Sequence, residues 1–279
     1  MTHVLHAEPA ALAGPLHGRW TSMRDALHAE WTKLRTVPSP LWLLLTAIAV
    51  TVGTSALTAS VVKCPASCHA DVTKLSLTGV EPGQALIVIL AVLMMSSEYS
   101  TGMIRATLTA MPRRSTVLAA KAAILTGVVL AAGTIAVLGS LLAGQLIMPG
   151  NGFTAAHGNA PLSLASGPML RAGFGSVLYL ALIALLSLGA ASALRDSALS
   201  ITVLLGVLYI FPVIGEVILN PHLQHDIDRY APMNAGLAIQ ATRDLDQLAI
   251  GPWAGLGVLA AYAAAALLAG GLALRLRDA

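Results

Sequence analysis

Charge is what this sequence has least of. Only 10% of its 279 residues are Asp, Glu, Lys or Arg, where a water-soluble domain carries about a quarter. So few polar groups cannot clothe a water-facing exterior, and lipid is the solvent that removes the difficulty. Aromatic residues are scarcer still, at 4%. The basic residues are scattered between apolar blocks instead of clustered with stacking groups, which argues against a nucleic-acid partner. A formal net charge of +3 does not alter that reading. Cysteine is limited to Cys64 and Cys68, and one pair says little about redox compartment.

Catalytic signatures are missing too. There is no phosphate loop of the G-x-x-x-x-G-K-[ST] form, no H-E-x-x-H metal pair and no G-x-S-x-G elbow. No catalytic residue, metal or cofactor is therefore expected on this chain. Ionisable residues also avoid the middles of the apolar blocks, where proton- or ion-coupled carriers commonly keep relays. Glu216, after Pro212, reads as an interfacial carboxylate, with a transport relay as the alternative. His222, His225 and Asp226 form an H-x-x-H-D cluster. Without a third firm ligand they read as ordinary loop residues sooner than as a metal site.

What is present is oil. With 56% hydrophobic residues and a mean hydropathy of +0.77, the chain falls into apolar blocks at 42–62, 82–97, 117–148, 171–194, 199–219 and 252–274. Most are long enough to cross a hydrocarbon core of about 30 Å at 1.5 Å per residue. The block at 82–97 is short, and its helix is expected to run past its charged ends. The expected fold is an all-α membrane protein of six transmembrane helices. Residues 1–17 read as a flexible cytoplasmic tail, 18–37 as an amphipathic helix and 38–279 as the six-span domain. No cleavable signal pattern is expected at the N-terminus, so the first block acts as an uncleaved anchor.

Within 18–37, Trp20, Met23, Leu27, Trp31 and Leu34 share an arc of roughly 80° at about 100° per residue. Arg24, His28 and Arg35 flank the arc, and Pro38 and Pro40 end the helix. Such a helix suits the membrane interface; packing on protein is the alternative. Orientation follows from Lys and Arg. Arg19, Arg24, Lys33, Arg35, Arg105, Arg113, Arg114, Lys121, Arg195, Arg275 and Arg277 fall on one side, leaving five of the 16 basic residues on the other. Both termini are thus expected in the cytoplasm. Cys64 and Cys68 then lie in the first outer loop, as a short disulfide or as two free thiols. Small residues such as Gly139, Ala143, Gly255 and Ala265 are plentiful in the spans. They read either as close-packing positions or as plain Ala/Gly-rich composition.

The most specific stretch reads SEYSTGMIR at 97–105 and ATLTAMPRR at 106–114, followed by Leu118 and Lys121. It resembles the loop between the second and third spans of type-2 ABC transporter permeases, the six-span membrane subunits of bacterial exporters. AEWTKLRT at 29–36, with Trp42, resembles that family's N-terminal connecting helix. YAPMNAG at 230–236 resembles its outer segment before the last span. The resemblance runs from about residue 18 to the end. Pro38 stands where the family usually has a basic residue.

The resemblance implies a division of labour. A separate ATPase subunit would bind ATP and Mg, and two permease subunits, a second copy or a homologue, would form the pathway in the lipid of the cytoplasmic membrane. Glu98, Tyr99, Gly102, Arg105, Pro112, Arg113 and Arg114 would form the ATPase-coupling loop. Trp31, Lys33 and Arg35 on the connecting helix would brace it, and the Arg195–Asp196 turn would add a smaller contact. The expected task is export of a small molecule, lipid or peptide. The alternatives are an ATP-independent sensor, self-resistance factor or scaffold, and a secondary carrier.

Overall fold

The computed structural model describes residues 17–65, 68–100, 114–154, 166–217 and 220–276, with the side chains of 17–22, 97–100, 114, 115 and 216 outside that description. Among the described residues there are helices and turns but no strand. In chain order the helices are α1 His17–Thr36, α2 Pro38–Val61, α3 Val72–Ser76, α4 Val80–Ser100, α5 Arg114–Ile147, α6 Gly167–Leu194, α7 Ser197–Val217, α8 Pro221–Tyr230, α9 Pro232–Leu237 and α10 Pro252–Leu276. Five of them, α2, α5, α6, α7 and α10, are long and apolar enough to cross a membrane. The chain has the make-up of an all-α, multi-pass membrane protein. The block expected at 82–97 is α4, whose apolar stretch Val80–Ser96 is shorter than the other five.

Proline sets several helix starts. Val37 is the extended cap residue between α1 and α2, and Pro38 opens α2. A residue that lacks an N–H loses nothing in a first turn, where that donor has no helical partner. The same proline thus ends one helix and begins the next. Pro221 and Pro232 open α8 and α9 in the same way.

Helix α6 is the centre of the bundle. It packs against α4, α5, α7 and α10, and 61% of its apolar window is buried, against 22–33% for the other four spans. Its sequence explains the placement, because a helix apolar or small on every side belongs inside. Tyr179, Ile183, Ala184 and Leu188 are fully enclosed. Ser176, Ser187 and Ser192 return their hydroxyls to the carbonyls of Ala172, Ile183 and Leu188, so no buried hydroxyl on this helix needs water.

The direction of each helix can be read from its neighbours. Gly133 of α5 lies beside Leu180, and Gly173 of α6 beside Leu141, so α5 and α6 are antiparallel. Helix α10 runs parallel to α6. At their crossing a Cβ on Gly189 would stand 2.4 Å from the carbonyl carbon of Ala266, and one on Gly270 would stand 2.6 Å from the Gly189 oxygen. No side chain fits between these backbones. In lipid, where helices gain little from hiding apolar surface, such close approach is what binds them.

One end of the bundle gathers the starts of α2, α5 and α7 with the ends of α4, α6 and α10; here it is called the basic end. The opposite end is closed by polar clasps. Asn151 donates from Nδ2 to the Ala59 carbonyl at 2.7 Å, capping the last turn of α2, and its own carbonyl accepts from the Cys64 N–H at 2.8 Å. Gly152 holds φ +93°, and a Cβ there would meet the Cys64 oxygen at 2.2 Å. Cys64 and Cys68 are joined by a disulfide with their Cα atoms 5.9 Å apart. Asp71 caps α3 by accepting from the Lys74 N–H at 3.1 Å. It also accepts from the Thr242 N–H, from the Thr242 hydroxyl at 2.7 Å and from the Arg243 N–H at 3.1 Å. One carboxylate therefore ties the α2–α4 connection to the segment before α10. Asp71→Ala is expected to cost about 1–3 kcal/mol, the range for orphaned buried donors. It should also speed amide exchange at residues 242 and 243, and exchange as slow as in the parent would count against the clasp.

Candidate functional site

The residues singled out by the sequence converge on the basic end. Helix α1 lies against the first turns of α5 and touches α2. Its contact face is not centred on the arc of Trp and Leu. Among its described side chains, Ala26 and Glu30 are buried, at 3% and 4% exposure, while Trp31 is 43% exposed. The packed face lies roughly 80° around the helix from that arc, counting 100° per residue. Met23, Leu27 and Leu34 are half-buried at its edge.

An ion cluster causes the rotation. Lys121 is buried at 1% exposure on α5, about 10 Å in from that helix's start at 1.5 Å per residue. Its Nζ donates to Glu30 Oε2 at 2.8 Å. Lys33 Nζ donates to the other oxygen, Oε1, at 2.9 Å. A charge this deep is costly unless paired, and the carboxylate serves two cations at once. Ala26, one turn before Glu30, is small enough to let the helix axes close up. The sequence placed Lys121 near the start of a span and Glu30 within a motif, but nothing in it joined the two.

The other connecting-helix residues face outward. The Arg35 guanidinium lies over the Trp31 ring, 5.2 Å from its centroid, a cation–π contact at the exposed edge of α1. Lys33 is half-buried and belongs to the Glu30 cluster. Of the expected coupling loop, Glu98 and Tyr99 stand in the last turn of α4 and Arg114 opens α5, with their side chains outside the described residues. Gly102, Arg105, Pro112 and Arg113 lie outside the described residues altogether.

The Arg195–Asp196 turn completes this end. Arg195 adopts φ 60°, a left-handed helix stop that is strained for a residue with a Cβ. Its Nη2 donates to the Ala273 carbonyl at 3.1 Å, satisfying an acceptor in the last turn of α10. Asp196 Oδ1 accepts from the Leu199 N–H at 2.7 Å and so caps α7. Two residues thereby fasten the ends of α6 and α10 to the start of α7.

Elsewhere the bundle holds a neutral polar network. Tyr179 donates from its hydroxyl to Gln84 Oε1, and Gln84 Nε2 lies 3.1 Å from Met233 Sδ. Both Gln84 and Tyr179 are fully buried. Tyr209 donates to the Glu81 carbonyl at 2.6 Å. These bonds tie α4 to α6, α7 and α9 near the clasped end. His222, His225 and Asp226 are exposed on α8. Among the described residues no three His, Cys, Asp or Glu side chains are placed to share a metal ion. The side chain of Glu216 lies outside the described residues.

The architecture is that of a polytopic helical membrane protein whose N-terminal helix packs against α5 and α2. No protein-family model matches the chain, and no curated protein matches it.

Proposed function

We propose that the chain is the permease subunit of an ABC exporter, crossing the cytoplasmic membrane six times with both termini inside. In this reading a separate ATPase subunit drives it, and it pairs with a second permease. The observation that carries the reading is the Glu30–Lys121 bond. It fastens α1 to the opening turns of α5, next in sequence to residues 101–113, which belong to the run that resembles a coupling loop. A loop that transmits force needs a rigid neighbour, and a buried ion pair beside it supplies one. Helix α4 serves as the sixth crossing: its 21 residues extend about 31 Å, matching the hydrocarbon core. The basic bias of the connecting segments at this end supports its cytoplasmic placement.

The test is co-purification with an ATPase encoded beside this chain. Arg105→Glu and Glu98→Ala are expected to leave membrane insertion intact. Each should lower recovery of the ATPase by roughly tenfold, the equivalent of about 1.4 kcal/mol in affinity. Recovery equal to the parent in both variants would argue for a chain that works without such a partner.

A further inference from the structure

A groove among the described residues opens sideways at the basic end, between the first turns of α5 and the last turns of α10. It encloses about 480 Å³ and is lined by Leu118, Ala119, Ala122, Leu268, Gly271 and Arg275, among others. Its walls are apolar along their depth. From Leu267, the deepest α10 residue of the lining, to Arg275 is eight residues, or about 12 Å along the helix. Gly271 provides the width: a Cβ there would reach only ordinary contact with Leu118 Cδ2, at 3.7 Å. Leu268, Leu272 and Arg275 are exposed, so the groove faces the surroundings of the bundle and not its interior.

We infer that this groove binds one anionic phospholipid of the leaflet at the basic end. The acyl chain would lie between α5 and α10, and the phosphate would sit on the Arg275 guanidinium. The distribution of charge selects the occupant. The apolar walls run inward from Arg275, the basic residue among the described lining, which complements an amphiphile with an oily body and a negative head. Arginine's planar fork suits a phosphate better than a point charge does. The site requires only that α5 and α10 cross a bilayer, whatever the chain moves.

The test uses the full chain in mild detergent, loaded with dioleoyl phosphatidylglycerol or dioleoyl phosphatidylcholine, with retained lipid counted by native mass spectrometry. The parent protein is expected to retain the anionic lipid over the zwitterionic one by roughly fivefold, the scale of one basic residue against an anionic surface. Arg275→Gln should keep chain binding and lose that preference. Gly271→Phe should fill the groove and lose both lipids. If that variant misfolds, Ala119→Phe, from the exposed side of α5, fills the same space. Glycerol phosphate without acyl chains should not be retained, and its retention would reduce the site to a free-phosphate contact. Equal retention of the two lipids by the parent, or an unchanged preference in Arg275→Gln, would overturn the assignment. So would efficient cross-linking of Leu268→Cys between two copies, which would make the groove a contact between chains.

Discussion

Glu30→Ala is expected to be the most damaging single change at the basic end, lowering stability by about 3–5 kcal/mol, as for other buried ion pairs that lose one member. The substitution withdraws the carboxylate that faces the enclosed Lys121 ammonium at 2.8 Å. Lys121→Met should cost less. Glu30 then keeps Lys33 at 2.9 Å, and Lys33 is partly open to solvent. Glu30→Gln combined with Lys121→Met should recover most of the loss, because a buried pair replaced by neutral groups of similar volume is often nearly neutral. Thermal unfolding of the purified chain measures the series, and proteolysis of α1 reports where it loosens. If Lys121→Met proved as harmful as Glu30→Ala, the sharing of Glu30 between Lys33 and Lys121 would be the wrong account.

The second large effect is expected at the crossing of α6 and α10. Gly189→Ala places a methyl group 2.4 Å from the carbonyl carbon of Ala266 and 2.5 Å from the nitrogen of Leu267. Both neighbours are backbone, so neither can swing aside, and the helices must separate. The expected cost is about 1–3 kcal/mol, the usual scale of overpacking. Gly189→Val should prevent recovery of a monodisperse protein. Gly257→Ala, on the same α10 but with open space around its Cα, is the control and should be neutral or slightly stabilising. Equal unfolding midpoints for Gly189→Ala and Gly257→Ala would remove the basis for close backbone contact.

These two sites differ in how far the sequence exposed them. The spans themselves were legible, because runs such as 117–148 and 171–194 are too long and too apolar for anything else. The stop after Thr36 was legible too, since proline cannot continue a helix whose N–H groups are in use. Small residues in the spans were visible, but composition alone could not say which ones touch; Gly139, Gly189, Gly255 and Gly270 are hemmed in by neighbours, whereas Gly257 faces open space. The ion cluster was hidden for a different reason. Glu30 and Lys121 stand 91 residues apart, and no local spacing links a motif residue to a lysine at a distant span start. The same holds for Gln84 and Tyr179, which are 95 residues apart. The arc of α1 was read from its spacing as an interfacial face, but the side that packs on the bundle, around Ala26 and Glu30, is set by a charge pair that no local pattern announces. The spacing of Cys64 and Cys68 allowed a bridge or free thiols, and the folded path of the chain brings their Cα atoms to 5.9 Å, as a bridge requires.

The glycine crossing restricts how the molecule can move. Two rods whose main chains interlock cannot slip lengthwise without climbing over each other's peptide groups, so α6 and α10 travel as one piece. Arg195 bolts their ends together at the same level. Helix α7 stands outside that pair; it carries Pro212 within its length and so lacks one rung of its ladder, which softens it to bending. Strain introduced at the basic end would emerge as bending there.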